Sequence, residues 1–263
     1  MWGIIPAAGS GSRIQPLAFS KELLPVGSRF EDGQERPKAV SEYLVERMIL
    51  GGVNKFCFVI APGKSDILEY YVRTMSSIHI CYVVQPSAAG LCDAIFQAAP
   101  FIEPEENVVV GLPDTVWYPQ NALRTLRDGS FSFLLFPVDR PEFFDAVRME
   151  DDGDVREIQV KISNPATHWI WGAFKLTGNI LHQLHTLWLQ REKKDEFFGT
   201  LVNAYLAKGN RAIAVRAGTA YTDVGTLQGY RDAVRLIERS SGISEFNYDS
   251  IFQHESTRQA DER

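Results

Sequence analysis

A short apolar run, Ile4-Ile5, ends in Pro6 and opens into a loop of small residues, Ala7-Ala8-Gly9-Ser10-Gly11-Ser12, with Arg13 directly after it and Lys21 a little further on. Backbone N–H groups in such a loop can approach an anion closely, because no side chain stands in the way. Ala8, Gly9, Ser10, Gly11 and Ser12 therefore read as a phosphate cradle. Two fixed cations behind it suit a polyphosphate better than one small anion, and the predicted chemistry is that of a nucleoside triphosphate site. The two best-known phosphate motifs are absent. The dinucleotide fingerprint would need its third glycine at Ile14, and a P-loop ending in Gly63-Lys64-Ser65 would need its first at Phe58. Lys64 reads instead as a solvated residue opening a helix.

The elements that must position this loop alternate along the chain. Val40, Leu44, Val45, Met48 and Ile49 give Lys38 to Leu50 a helical spacing that stops at Gly51-Gly52. Further helices are expected at Lys64 to Met75 and Gly90 to Phe101, with apolar strands at Phe56 to Ile60, Ile78 to Val84 and Asn107 to Gly111. This pattern predicts an α/β fold, a Rossmann-like and mostly parallel sheet flanked by helices. Ligands in such folds gather at the carboxyl ends of the strands, so chemistry is expected after Ile5, Val84 and Val110. In the second half, strands are predicted at Phe131 to Val138, Val155 to Val160, Trp169 to Leu176 and Arg211 to Arg216. Helices are predicted at Gly178 to Arg191, Asp195 to Lys208 and Leu227 to Arg239, with Tyr221 to Thr226 as a loop or bend. Pro137 to Thr226 reads as a second lobe packed on the first, and 241–263 as a polar, mobile tail.

The 263 residues, 45% of them apolar, can bury a full core. The net charge of −6 is interspersed rather than blocked, which argues against nucleic acid as partner. No apolar run reaches the roughly 20 residues that span a bilayer, and the N-terminus lacks a charged n-region. Cys57, Cys81 and Cys92 are odd in number and sit in apolar sequence, as buried thiols of a cytoplasmic protein do. His182 and His185 lie one helical turn apart but lack a third ligand nearby, and Asp151, Asp152 and Asp154 around Gly153 read as a solvated hairpin turn.

Extended to Pro16-Leu17 and Ser20-Lys21-Glu22-Leu23-Leu24-Pro25, the opening segment resembles that of the sugar-1-phosphate nucleotidylyltransferases, closest to the glucose-1-phosphate thymidylyl- and uridylyltransferases. Ala8 and Ser12 replace the family's first glycine and its threonine. The resemblance continues at Gln85-Pro86-Ser87 with Gly90, where the family holds its pyrimidine base, and at Gly111-Leu112-Pro113-Asp114, where it keeps a metal-binding aspartate. It reappears at Lys161 and Gly172, in the sugar-phosphate region, and at Tyr221-Thr222-Asp223-Val224-Gly225-Thr226, which carries the family's second metal aspartate. It implies a GT-A-like fold over 1–240: a nucleotide lobe to 136, a sugar-phosphate lobe over 137–226 and a closing helix. The implied reaction joins dTTP or UTP to a sugar 1-phosphate and releases pyrophosphate. The implied site has Arg13 and Lys21 on the triphosphate, Mg²⁺ on Asp114 and Asp223, and Lys161 on the sugar phosphate.

That reaction asks little acid–base help from the protein. The attacking phosphate oxygen is already ionised, so catalysis rests on alignment and on cations around the α-phosphate. Mg²⁺ takes a few carboxylates and keeps water and phosphate oxygens as its other ligands. The chain departs from the family around Lys161, where Val160 replaces a glutamate and Ile162 a proline. A carboxylate that would bind sugar hydroxyls is therefore missing or supplied elsewhere. Trp169 and Trp171 are expected to pack on the core, with one face bordering the sugar pocket. Ser28 to Arg36 is insertion-like, expected to lengthen a loop near the triphosphate or to mediate a contact in a homo-oligomer. Two other readings share this scaffold: a silent nucleotide-sugar-binding regulator, and a cytidylyltransferase acting on a non-sugar phosphate.

Overall fold

A computed structural model describes residues 1–31, 33–75 and 78–240, so the tail expected at 241–263 lies outside the described residues. Strand β1 (Trp2–Pro6) is followed by a hairpin of β2 (Pro25–Glu31) and β3 (Gln34–Ala39), then α1 (Val40–Leu50), β4 (Lys55–Ile60), α2 (Ser65–Thr74) and β5 (His79–Val84). Helix α3 (Gly90–Gln97), β6 (Asn107–Gly111), β7 (Thr115–Tyr118) and β8 (Ser132–Pro137) lead to a second hairpin, β9 (Asp145–Met149) and β10 (Val155–Val160). The chain ends through β11 (Trp169–Thr177), α4 (Gly178–Gln190), α5 (Phe198–Ala207), β12 (Ile213–Val215), β13 (Ala220–Asp223) and α6 (Leu227–Ser240).

The main sheet runs β10-β9-β11-β6-β1-β4-β5, with β8 branching from β11 and β12 pairing beyond β8. From β6 to β5 every pairing is parallel, as the apolar strands predict, whereas β11 joins β6, β8 and β9 antiparallel. Strands from both halves of the chain thus share one sheet.

Alternation along the central strands sorts their side chains onto two faces. Ile4, Cys57, Val59, Val108 and Val110 pack beneath α3, α4 and α5, while Ile5, Phe56, Phe58, Ile60 and Val109 pack beneath α1 and α2. Each such side chain, fully buried, is worth about 1.5–3 kcal/mol over its exposed state. A third cluster joins Leu24 and Val26 of the hairpin region to Val40 and Tyr43 of α1 and to Ala233 and Ile237 of α6. Helix α1 is consequently buried almost all round, including Glu42, Glu46 and Arg47. The Arg47 guanidinium donates to the carbonyls of Trp117 (2.8 Å) and Tyr43 (2.7 Å), which fixes β7 against α1.

One expectation is corrected. Tyr221 to Thr226 is not wholly a loop: Ala220–Asp223 is a strand, paired antiparallel with β7. The insertion-like Ser28 to Arg36 forms most of the β2–β3 hairpin, whose two strands hydrogen-bond each other. The acidic turn before Val155 closes the β9–β10 hairpin, as expected. Among the described residues no helix is long and apolar enough to cross a membrane.

Candidate active site

The β7–β13 ladder brings two distant carboxylates together. Asp114 ends the turn out of β6, and Thr115 lies opposite Asp223 in register. The Val224 N–H donates to the Asp114 carbonyl at 2.8 Å, and the Gly225 N–H donates to Asp223 Oδ1 at 2.5 Å. Burial and the neighbouring Asp114 carboxylate push the Asp223 carboxyl above its ordinary value, and the Gly225 N–H, Arg13 and Lys21 only partly offset this.

Both expected phosphate cations already reach these carboxylates. Lys21 Nζ donates to Asp114 Oδ2 at 2.5 Å, and Arg13 Nη2 lies 3.7 Å from Asp223 Oδ2. Burial would depress the Lys21 ammonium, but Asp114 outweighs it, and the group sits above the ordinary lysine range. The small-residue loop makes room for this. A Cβ on Gly11, whose φ is +64°, would lie 2.9 Å from Lys21 Cδ, so the lysine stem runs directly against the loop backbone. The loop is tied at one end by the Ala7 N–H, which donates to the Val59 carbonyl, and closed at the other by the Ile14 N–H on the Gly11 carbonyl. Ala8 is buried, while Gly9, Ser10 and Ser12 remain exposed. At the far wall, a Cβ on Gly225 would come within 2.9 Å of Arg13 Nη2.

Lys64 is not the solvated residue its sequence position suggests. It is 13% exposed, and its ammonium donates to both Glu22 carboxylate oxygens (2.9 and 2.8 Å) and to the Ala7 carbonyl (2.7 Å). Burial raises the Glu22 carboxyl, and Lys64 opposes that shift. One buried ion pair therefore ties the start of the small-residue loop to the residue beside Lys21. A lysine opening a helix is usually solvated, so sequence reasoning had little to signal this contact.

Gln85 directly follows β5 and is buried, its amide donating to Asp93 Oδ2 (2.7 Å) and the Gly90 carbonyl (3.2 Å). The expected base-contact residue thus organises the turn into α3. Gly90 has φ +87°, and a Cβ there would press on the Glu196 carbonyl at 3.2 Å. Gly172 lies on β11 under the rings of Phe136 and Tyr221, which a Cβ would meet at 2.6 and 2.7 Å. The space its missing side chain leaves is filled by protein.

Lys161 follows β10 with φ +46°. Its ammonium lies 4.3 Å from the centre of the Phe197 ring and forms no ion pair among the described residues. Close by, Asp145 begins β9, its carboxyl raised by burial in spite of Trp171 and Lys161. Neither Asp145 Oδ1 nor Trp171 Nε1 completes a hydrogen bond, although both are buried. Trp171 packs against Phe174 and Phe198, as expected of a core residue. The two ends of the site meet at Tyr221. Its phenol is pushed well above its ordinary value by burial and by the carboxylates of Asp223, Asp114 and Asp145. Its ring meets Phe144 edge-on, 5.8 Å between centres.

His182 and His185 play no part in this arrangement: His185 stacks on Phe96, and His182 meets the Ala99 carbonyl. No group of three or more His, Cys, Asp or Glu side chains converges among the described residues. What does converge is a loop of small residues, two cations, two adjacent carboxylates and, across Tyr221, a lysine without an ion pair among the described residues. Such a site can hold a polyphosphate at one end and a second anion at the other.

Known proteins resemble this chain over most of its length. The glucose-1-phosphate thymidylyltransferase of Neisseria gonorrhoeae is 26% identical over 258 residues, covering 92% of this chain and 84% of that protein. A Bacillus anthracis structure assigned to glucose-1-phosphate thymidylyltransferase, in complex with a sucrose, superposes with a TM-score of 0.76 at 21% identity, covering 94% of this chain and 97% of that one. A UTP-bound UGPase from Acinetobacter baumannii gives 0.71 at 20%, over 90% and 93%. The family model described as nucleotidyl transferase matches residues 2–240, nearly everything the structure describes, and the chain belongs to that family.

Proposed function

We propose that this enzyme transfers a nucleotidyl group from dTTP or UTP to a sugar 1-phosphate, forming a nucleotide-sugar and pyrophosphate. The observation that carries the reading is the convergence of Arg13, Lys21, Asp114 and Asp223 from four separate segments onto one small volume, with Lys161 beyond it. The names of the relatives support the same reaction class.

The two carboxylates fit Mg²⁺. They lie close enough for Asp114 to disfavour the ionised form of Asp223, which is a place for a divalent cation, and two carboxylates leave room for water and phosphate ligands. Bound there, Mg²⁺ would offset charge on the triphosphate. The chain's own residues do the rest. The exposed N–H groups of the Gly9–Ser12 loop receive phosphate oxygens. Lys21 and Arg13 exchange their carboxylate partners for phosphate oxygens, which frees Asp114 and Asp223 for the cation. Lys161 aims the anionic oxygen of the sugar phosphate at the α-phosphorus. A new P–O bond forms there as the bond to the β-phosphate oxygen breaks, and Arg13 and Lys21 take up the charge on the departing pyrophosphate.

The test is to mix purified protein, Mg²⁺, dTTP, UTP or CTP, and a panel of hexose 1-phosphates, and to assay pyrophosphate. Release that depends on both substrates, with dTTP or UTP preferred, is the expected result. Nucleotide-sugar binding without release would overturn it in favour of a silent regulator, and a CTP preference in favour of cytidylyl transfer.

A further inference from the structure

Resting on the proposed function, the region around Lys161 raises a narrower question: what recognises the sugar. Beside Lys161, where the resemblance drawn from the sequence implies a glutamate, the chain has Val160. The register of the β9–β10 hairpin places Asp145 directly opposite Val160. Residues opposed in an antiparallel pair project from the same face, so a carboxylate sits across the ladder from the position that lacks one.

The surroundings of Asp145 are built for an acceptor. The Lys161 N–H donates to the Phe144 carbonyl at 3.2 Å, which locks the lysine's backbone to the residue preceding Asp145. A Cβ on Gly199 would meet Val160 Cγ2 at 2.7 Å and Asp145 Oδ2 at 3.2 Å, so only glycine lets the first turn of α5 close over both. Trp171 stands behind Oδ1, and its indole N–H can only donate. Oδ1 is buried with no hydrogen bond completed among the described residues, the Trp171 indole beside it only partly offsets the burial, and the residue keeps part of its surface open. An ionised carboxylate accepts and cannot donate, so what it lacks is a donor, and the neutral donors of a sugar are its hydroxyls.

We propose that Asp145 is the specificity-determining residue of this enzyme. Its carboxylate accepts a hydrogen bond from one hydroxyl of the sugar 1-phosphate whose phosphate is held by Lys161. The acceptor lies on the strand opposite Val160 and on the same face, with the Trp171 indole beside it.

The experiment compares the wild-type protein with Asp145→Asn and Asp145→Ala on glucose, galactose and mannose 1-phosphates and on their singly deoxygenated analogues. Activity is followed by pyrophosphate release, and binding of the same compounds by calorimetry. In the wild type, loss of one particular hydroxyl should cost on the order of 10²-fold in kcat/KM, because a site made for a hydroxyl is left with a buried group unpaired. In both variants that penalty should shrink to within about threefold, KM for the sugar phosphate should rise at least tenfold, and KM for the triphosphate should stay within about twofold. An active Asp145→Asn or Asp145→Ala that keeps the wild-type deoxy-sugar pattern would overturn the assignment of Asp145 alone. A wild type that neither binds nor turns over any sugar 1-phosphate would overturn the proposed function, and this inference with it.

Discussion

The two ends of the site are prepared for their charges in opposite ways. At the loop end every charge has found a partner: Lys21 lies on Asp114, Arg13 faces Asp223, and Lys64 neutralises Glu22 beneath the loop. At the Lys161 end the ammonium lies over an aromatic ring and forms no ion pair among the described residues, and Asp145 Oδ1 completes no hydrogen bond there. The difference reflects what each end must tolerate when empty. Two carboxylates side by side repel, and Lys21 and Arg13 hold them; under the proposed function a metal and a polyphosphate would take over that task. A lone carboxylate beside a lysine stands at some cost in stability, and under the same proposal that cost would become selectivity when a sugar hydroxyl fills the gap.

Breaking the pairing at the loop end should have the largest effects. Asp114→Asn should lower Mg²⁺-dependent pyrophosphate release on the order of 10³-fold while circular dichroism stays unchanged; a wild-type rate would remove Asp114 from the metal. Lys64→Met leaves Glu22 charged and alone in the interior, and losing one member of a buried pair costs about 3–5 kcal/mol. Calorimetry should show this as a fall in Tm of roughly 10 °C. Adding Glu22→Gln should restore most of it, and a double variant as unstable as the single one would argue against the pair. Lys21→Met should reduce kcat/KM for the triphosphate about 10²-fold, and steady-state kinetics over a series of triphosphate concentrations would show whether it does.

The smallest effect sharpens the contrast from the other side. The folded Asp145 carboxyl lies above its unfolded value of about 3.9, so between the two the folded chain binds the extra proton. Stability from this site is therefore present at low pH and declines as pH rises through the folded value. Asp145→Asn escapes that loss. Its Tm should exceed the wild type's at neutral pH by about 2–4 °C, the equivalent of one kcal/mol at this size, and the gain should vanish toward acid pH. Equal melting curves across the range would mean the carboxylate is satisfied within the protein.

The parallel half of the fold was legible because buried strands carry continuous apolar runs, and β1, β4, β5 and β6 fall where those runs lie. The small-residue loop was legible for a similar reason, since backbone that must approach an anion or a lysine stem excludes large side chains. The β7–β13 pairing was not. Each strand is four residues long, and their partnership is non-local, so neither strand has a period long enough to read. Thr115-Val116-Trp117-Tyr118, bounded by Pro119, did carry a β-forming composition that could have indicated a strand. Asp145 left no trace of its own, because one aspartate ahead of Ala146-Val147 looks like any strand-opening polar residue. The signal lay in the anomaly at Val160, which says that an acceptor is absent without saying where its substitute is. The buried charges of α1 were hidden by the same logic. A helix facing one sheet should have a polar side, and only the third layer of α6 and the hairpin shows why this one does not.

The short ladder of Thr115–Tyr118 with Ala220–Asp223 also bears on how the protein is made. Asp114 leaves the ribosome long before Asp223, and nothing local holds a place for the second carboxylate. Closing so long a loop is an entropic cost that the early strands cannot offset by themselves, so this pairing belongs to the late events of folding. No fragment ending before Ala220 contains both carboxylates. A chain cut short in synthesis before Ala220 therefore lacks the paired carboxylates on which the proposed chemistry depends, however much of its sheet has formed.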